Sequence, residues 1–296
     1  MPTYPKAYDF LIATVSLFTL SFSLPALAGQ PEDEAVQTVF EAEMADDDPN
    51  QLMIGLGVGI GPTYDGSDNY RLIPGGIVQG RLSGFDFAFR GPSLAIDLIR
   101  DGRDGGVNII AGPVIQGRFE RTGGIEDDRV ALLGEKDAAL ELGGEIGFAI
   151  PGAFGAPGIL RMTLTGVHDV TDVHDSFLLS PRIGYMTPVA SGTLAMLGVL
   201  TTYVGEGYGK TYFDVPAIVL PDPTLSAYTL QDGGFKDVGA NLMLIRQLGD
   251  EPGKVWSLFA LGGYTRLLGK YADSPIVADA GDRDSAFGVV GIAFRF

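Results

Sequence analysis

The sequence has no cysteine at all, which excludes a disulfide framework and any thiolate metal site. Basic residues are scarce, 20 Lys+Arg against 37 Asp+Glu, for a formal charge of −17. A chain this acidic lacks the basic face that a phosphate backbone requires, so nucleic acid is excluded as a partner. Histidine occurs only twice and tryptophan once. What the chain has in excess is glycine, 43 of 296 residues, within a composition that is 46% hydrophobic. That apolar content argues against disorder, and the length allows one large β domain or two ordinary ones.

The first residues read as a targeting segment. Lys6 supplies a weak positive start, Phe10–Leu20 (FLIATVSLFTL) a short apolar run, and Ala26-Leu27-Ala28 a small-x-small cleavage pattern. The run is shorter than the roughly 20 residues of a membrane span, so residues 1–28 are expected to be a signal peptide cut after Ala28. Residues 29–50 then carry eight acidic side chains and no basic one. This reads as a flexible, solvated periplasmic lead-in, with docking to a basic partner as the alternative.

From Gln51 the hydrophobic period becomes two. In AALELGGEIGFAI (138–150), Leu140, Leu142, Ile146 and Phe148 alternate with Glu141, Gly143, Glu145 and Gly147. In ILRMTLTGV (159–167), Leu160, Met162 and Leu164 alternate with Arg161, Thr163 and Thr165. In 107–119, Val107, Ile109 and Ile115 oppose Asn108, Gln116 and Arg118. Strict alternation is a strand signal and does not fit a helical period. Two long apolar stretches, 138–160 and 188–205, could pass for helices. The first is interrupted by Glu141, Glu145, Pro151 and Pro157, the second by Ser191-Gly192 within a Thr/Gly/β-branched texture, so both are assigned to strands.

Strands are expected near 51–63, 70–82, 85–90, 93–100, 107–121, 138–150, 158–168, 176–189, 193–206, 235–248, 254–268 and 285–296. Merging the short third and fourth, with a second merger, would leave ten. Connections alternate short and long, as in bacterial outer-membrane barrels with short periplasmic turns and long extracellular loops. The fold class is therefore all-β, a closed antiparallel transmembrane β-barrel of about 12 strands spanning 51–296, placed in the outer membrane after export. In VVGIAFRF (289–296), Val290, Ile292, Phe294 and Phe296 share a face suited to lipid. The terminal aromatics Phe294 and Phe296 resemble the signal read by the outer-membrane insertion machinery.

Alternation directs Arg71, Gln79, Arg81, Arg118, Glu141, Glu145, Arg161 and Arg295 to the lumen, where Arg/Glu pairs and water are expected to fill a bore of modest width. Tyr203, Tyr208, Tyr212, Phe213 and Tyr271 are assigned to an aromatic girdle, or else to loop contacts, and the loops 207–234 and 269–284 to the outer face. Candidate chemistry is thin. GLGVGIG (55–61) imitates a dinucleotide-binding glycine pattern, but no helix start follows to hold a pyrophosphate. HDVTDVHD (168–175) holds both histidines, and His168, His174 and Asp172 are weak metal candidates at a spacing that matches no defined site. Neither histidine sits near a GxSxG-like serine. No enzyme activity and no cofactor are assigned.

Several segments in order, GVGIGPTYDGSDNYRLIPGGIV (57–78), DAALELGGEIGF (137–148), VHDVTDVHDSFLLSPRIGY (167–185), TYVGEGYGKTYFDV (202–215), FKDVGANLML (235–244) and 264–296, resemble the MipA/OmpV family of outer-membrane proteins. The resemblance implies a non-catalytic barrel embedded in outer-membrane lipid and lipopolysaccharide. It implies a scaffold linking a lytic transglycosylase to a bifunctional penicillin-binding protein in peptidoglycan assembly. A narrow channel affecting solute or antibiotic permeability and a surface adhesin remain alternatives. The acidic lead-in at 29–50 is longer than the family pattern.

Overall fold

The computed structural model describes residues 50–100, 106–217, 225–249 and 255–295. The expected signal peptide, nearly all of the acidic lead-in and Phe296 lie outside the described residues.

Twelve strands form one closed antiparallel barrel. They are β1 (Asn50–Pro62), β2 (Tyr70–Leu82), β3 (Phe85–Arg90), β4 (Ser93–Ile96), β5 (Asn108–Arg118), β6 (Ala139–Pro151), β7 (Ile159–Asp169), β8 (Phe177–Ala190), β9 (Thr193–Val204), β10 (Gly234–Leu248), β11 (Val255–Leu267) and β12 (Asp284–Arg295). The two apolar stretches that could imitate helices are the hairpins β6–β7 and β8–β9. The count is twelve because β3 and β4 are separate strands joined at Gly91-Pro92, so the ten-strand alternative is wrong. β4 stops at Ile96 and β5 at Arg118, both earlier than their apolar patterns suggest. No helix among the described residues is long and apolar enough to cross a membrane.

Closure is made by β1 and β12, in register from Met53↔Arg295 to Ile60↔Gly288. The last strand is thus hydrogen-bonded on both sides, by β1 and by β11. Lipid offers no hydrogen bond, so every strand there must be paired on both edges.

The alternation sorts side chains as a two-faced wall demands. On β1, Leu56 (64% exposed), Val58 and Ile60 point outward, while Met53 (1%) points inward. Outward aromatics gather at two levels. Trp256 and Phe294 meet at 4.6 Å near one rim. Near the other, Phe177, Tyr203 and Phe235 form a chain with ring centroids 6.1 and 5.3 Å apart. Along β11 the girdle positions Trp256 and Tyr264 are eight residues apart, or about 27 Å along the strand. A tilt of about 35–45° reduces this to about 20 Å, near the height of an outer-membrane apolar band.

The wall is not equally tall everywhere. β3 and β4 are short, so β2 pairs with β3 only from Ile77 to Leu82. The last bond on that edge runs from the Gly91 N–H to the Gly76 carbonyl, 3.3 Å. Pro74, two residues further along, turns its missing donor to the same edge, where a ladder proline is tolerated.

Inside, side chains fill the bore at two levels. The half nearer the short turns holds Met53, Ile77, Met186, Met196, Met243, Ile245, Phe259, Leu261 and Phe287. The expectation of a lumen filled mainly by Arg/Glu pairs and water therefore omits this apolar cluster, which shares the half with the pairs Arg81–Asp86 and Arg161–Glu145. Inward glycines make room for the rings: a Cβ on Gly291 would lie 2.3 Å from Phe259 Cζ and 2.4 Å from the Leu56 carbonyl. The glycines of GLGVGIG serve the same purpose on β1, where a Cβ on Gly57 would lie 3.1 Å from Phe259 Cζ.

Overpacking costs about 1–3 kcal/mol, so Gly291→Val is expected to lower the thermal midpoint of the folded barrel, read by heat-modifiable gel mobility. Gly262→Val, where the nearest atom to a new Cβ is 3.9 Å away, is expected to leave the midpoint unchanged.

Candidate functional site: the plugged outer mouth

The long connections do not simply project from the barrel. Among the described residues they carry four short helices, α1 (Asp128–Ala131), α2 (Glu206–Phe213), α3 (Gly269–Ala272) and α4 (Pro275–Ala278). Helix α2 is amphipathic. Tyr208 and Tyr212, one turn apart and therefore on one face, are buried, with ring centroids 4.8 Å apart. The opposite face shows the exposed pair Glu206–Lys210 to solvent. Gly209 brings the helix close to its neighbours, since a Cβ there would lie 2.8 Å from Leu230 Cδ1. Phe213 packs edge-on against Tyr271 of α3 at 5.3 Å, and the Ser274 hydroxyl donates to the Phe213 carbonyl at 2.6 Å. Of the five aromatics assigned to a girdle, Tyr203 alone faces outward. Tyr208, Tyr212, Phe213 and Tyr271 are plug residues, at most 2% exposed. The helical period of GEGYGKTYF (205–213), superimposed on a loop, turns the first three inward, and α3 carries Tyr271 against Phe213.

Beneath the plug lies a network of buried charges. The guanidinium of Arg118 (β5) donates to both carboxylate oxygens of Glu141 (β6), at 2.5 and 3.1 Å. It also lies over the Tyr208 ring at 5.1 Å. His174 Nε2 is 3.0 Å from Glu141 Oε1, and its ring is enclosed by Tyr208 and Tyr212 at 5.4 and 5.9 Å. Asp169 shapes the loop that delivers His174: its carboxylate accepts from the backbone N–H groups of Thr171, His174 and Asp175. A second set centres on Lys236. The β9–β10 register shifts between Phe235 and Asp237, a bulge that turns both Lys236 and Asp237 inward. Lys236 Nζ pairs with Asp65 and, at 3.1 Å, with Asp237. The Asp65 backbone N–H donates to Glu120 Oε1 at 2.8 Å.

Burial raises the Glu120 carboxyl from an ordinary value of 4.5 to about 8, with the Asp65 charge adding to the effect and Lys236 and Arg118 opposing it. Burial also pushes the Tyr208 and Tyr212 phenols upward, and the Tyr208 oxygen accepts from Arg118 Nη1 at 3.5 Å.

The other inward charges stand elsewhere on the wall. Arg81 is bidentate to Asp86 at 2.7 and 2.9 Å. Arg161 Nη2 lies 3.4 Å from Glu145 Oε1, and Thr165 donates to the same carboxylate at 3.0 Å. Arg71 shares the inward face of β2 with Ile73 and Ile77, and Arg295 that of β12 with Ala293. Phe294 faces outward beside Trp256. The three weak metal candidates are not brought together. His168 is on the outward face, opposite Leu142 and Phe177, whereas His174 is enclosed within the mouth and Asp172 is exposed in the loop. No cluster of three or more His, Asp or Glu suited to a metal occurs among the described residues.

Asp65, Glu120, Lys236 and Asp237 escaped the sequence reading. One signal was available: Lys236-Asp237 places two charges in succession within an alternating strand, the mark of a bulge.

Closed strands, an apolar exterior between two aromatic girdles and a charged, side-chain-filled mouth define an outer-membrane β-barrel. Within that class, the chain belongs to the MipA family, MltA-interacting protein, whose family model matches residues 54–296. No curated protein matches the chain. Among solved structures it is similar to the toluene transporter TbuX of Ralstonia pickettii, at 8% identity over 84% of this chain and 90% of that one, with a TM-score of 0.32. It is similar also to the toluene transporter TodX of Pseudomonas putida (9%, 84% and 89%, TM-score 0.36) and to an outer membrane channel of Pseudomonas putida F1 (8%, 84% and 97%, TM-score 0.36). Likenesses at this level bear on neither ligand nor mechanism.

Two measurements test the mouth. Removing one partner of a buried ion pair costs about 3–5 kcal/mol, so Lys236→Met is expected to loosen the plug, seen as faster proteolysis at 205–217. The second concerns pH. The folded state keeps the Glu120 proton that an unfolded chain releases above about 4.5, so the unfolded state binds fewer protons and stability falls as pH rises. Urea midpoints are expected to drop between pH 4.5 and 8 and to level off above it, with the slope weakened in Glu120→Gln.

Proposed function

We propose that this barrel is a non-conducting scaffold of the outer membrane, holding peptidoglycan-remodelling enzymes on its periplasmic side. The observation that carries the reading is the filled bore: an apolar core in the inner half and a tyrosine-lined, ion-paired plug in the outer half. A water-conducting pore needs a continuous polar path, and a side-chain core of this kind interrupts one. The family is described by its interaction with MltA. For this chain the partners in the proposal are a lytic transglycosylase and a bifunctional penicillin-binding protein. In this reading the signal peptide is removed after Ala28, and the acidic lead-in precedes β1 in the chain. Its eight carboxylates within 29–50 suit a partner with a basic face.

In planar bilayers the refolded protein is expected to show no discrete conductance. Crosslinking in intact envelopes is expected to capture a murein hydrolase, with less capture when 29–49 are deleted. Steady single-channel currents without any murein enzyme captured would replace the scaffold by a narrow channel.

A further inference from the structure

The inner half of the lumen contains more sulfur than packing requires. The chain has seven methionines, and four of them, Met53, Met186, Met196 and Met243, belong to one buried cluster. Their arrangement follows from the register. Met186 on β8 is directly opposite Met196 on β9, and Met196 is directly opposite Met243 on β10. Three thioethers therefore leave three adjacent strands at one level and on one face. Directly opposed residues have Cβ atoms about 4.5–5.5 Å apart, and three rotatable bonds per side chain allow the sulfurs to converge on a common point.

A second observation is independent of the methionines. Asn241 stands two residues before Met243 on the same inward face, 2% exposed, and neither Oδ1 nor Nδ2 has a hydrogen-bond partner among the described residues. It lies against Gly198, two residues after Met196, where a Cβ would be 2.6 Å from Oδ1. A buried amide with both ends unsatisfied leaves polar atoms able to take a ligand. The donor set at this level is thus three neutral sulfurs with one neutral amide oxygen beside them. On the adjacent β7, inward Arg161 lies opposite Gly184, two residues from Met186, and its guanidinium is held by Glu145 at 3.4 Å; on β8 the next inward cation, Arg182, is four positions away, about 13 Å along the strand. Neutral thioethers select soft metals, Cu(I) above the borderline divalent ions. A divalent ion would also bring two charges to a site where the inward carboxylate of Glu145 is already paired with Arg161.

We propose that Met186, Met196 and Met243, with Asn241 beside them, form a binding site for a soft monovalent cation: Cu(I), or its analogue Ag(I). The site is close to the periplasmic rim. The hairpin carrying two of its ligands turns at Ser191-Gly192, and the partly buried Leu194 and Ile159 are packed against the cluster. The inference does not depend on the scaffold role, because it concerns the bore and not the partner surface.

Ag(I), which is not reduced or oxidised in air, is the probe. The full-length barrel, folded in detergent in chloride-free buffer, is expected to bind one equivalent, with a sulfur-dominated shell in X-ray absorption. Methionine to leucine conserves volume and usually costs less than about 1.5 kcal/mol, so the fold should survive. Met196→Leu alone is expected to weaken Ag(I) binding at least tenfold, and M186L/M196L/M243L to abolish it. Met162→Leu, on the outward face opposite Phe148, should bind as the native protein does. Absence of one-equivalent binding, or equal affinity in Met196→Leu with the heat-modifiable band intact, would show that the methionines only fill space.

Discussion

Everything in this protein answers to one property of its solvent: hydrocarbon cannot accept or donate a hydrogen bond. A sheet placed there must close, and closure here falls on β1 and β12 through eight paired positions from Met53↔Arg295 to Ile60↔Gly288. Once the sheet closes, its two faces have different solvents, and the period-two pattern becomes a statement about inside and outside. Twelve strands enclose more space than their own short side chains fill. The remaining space is occupied from within the chain, by rings over glycines in the inner half and by folded loops in the outer half. The plug is thus a consequence of strand number.

The same low dielectric governs the charges. A chain with net charge −17 gives the carboxylates of its plugged mouth cations to share, Arg118 with Glu141 and Lys236 between Asp65 and Asp237. Glu120, which has no cation of its own, is held protonated over much of the physiological range. Removing one member of such a set leaves the others buried and uncompensated. This makes the network a lock on the plug more than a source of stability.

Much of the barrel was legible before any coordinates. The expected strands agree with the observed ones to within a few residues, because lipid on one side and lumen on the other impose strict alternation over long runs. The failures share a cause. β4 and β5 end early because their ends are set by neighbours, and the hairpin β3–β4 is shorter than its apolar pattern allows. Tyr208, Tyr212, Phe213 and Tyr271 were assigned to a girdle or else to loop contacts, and the loop contacts are what the structure shows. Whether such a loop folds in or out depends on the space beneath it, which sequence periodicity does not encode. The charged site was half visible: alternation pointed Arg118 and Glu141 inward, but not toward His174 or Tyr208, which arrive from separate loops.

By itself, then, the amino-acid order determined which residues are strand, which face of each strand meets lipid, and that the final strand must be paired to its end. These are local matters, decided by side-chain polarity at a spacing of two. Only the tertiary structure decided what fills the bore, which carboxylates find a cation and which methionines face one another. Those contacts join residues as far apart as Asp65 and Lys236, and their geometry exists only after closure has set strand number, register and the bulge at Phe235–Asp237.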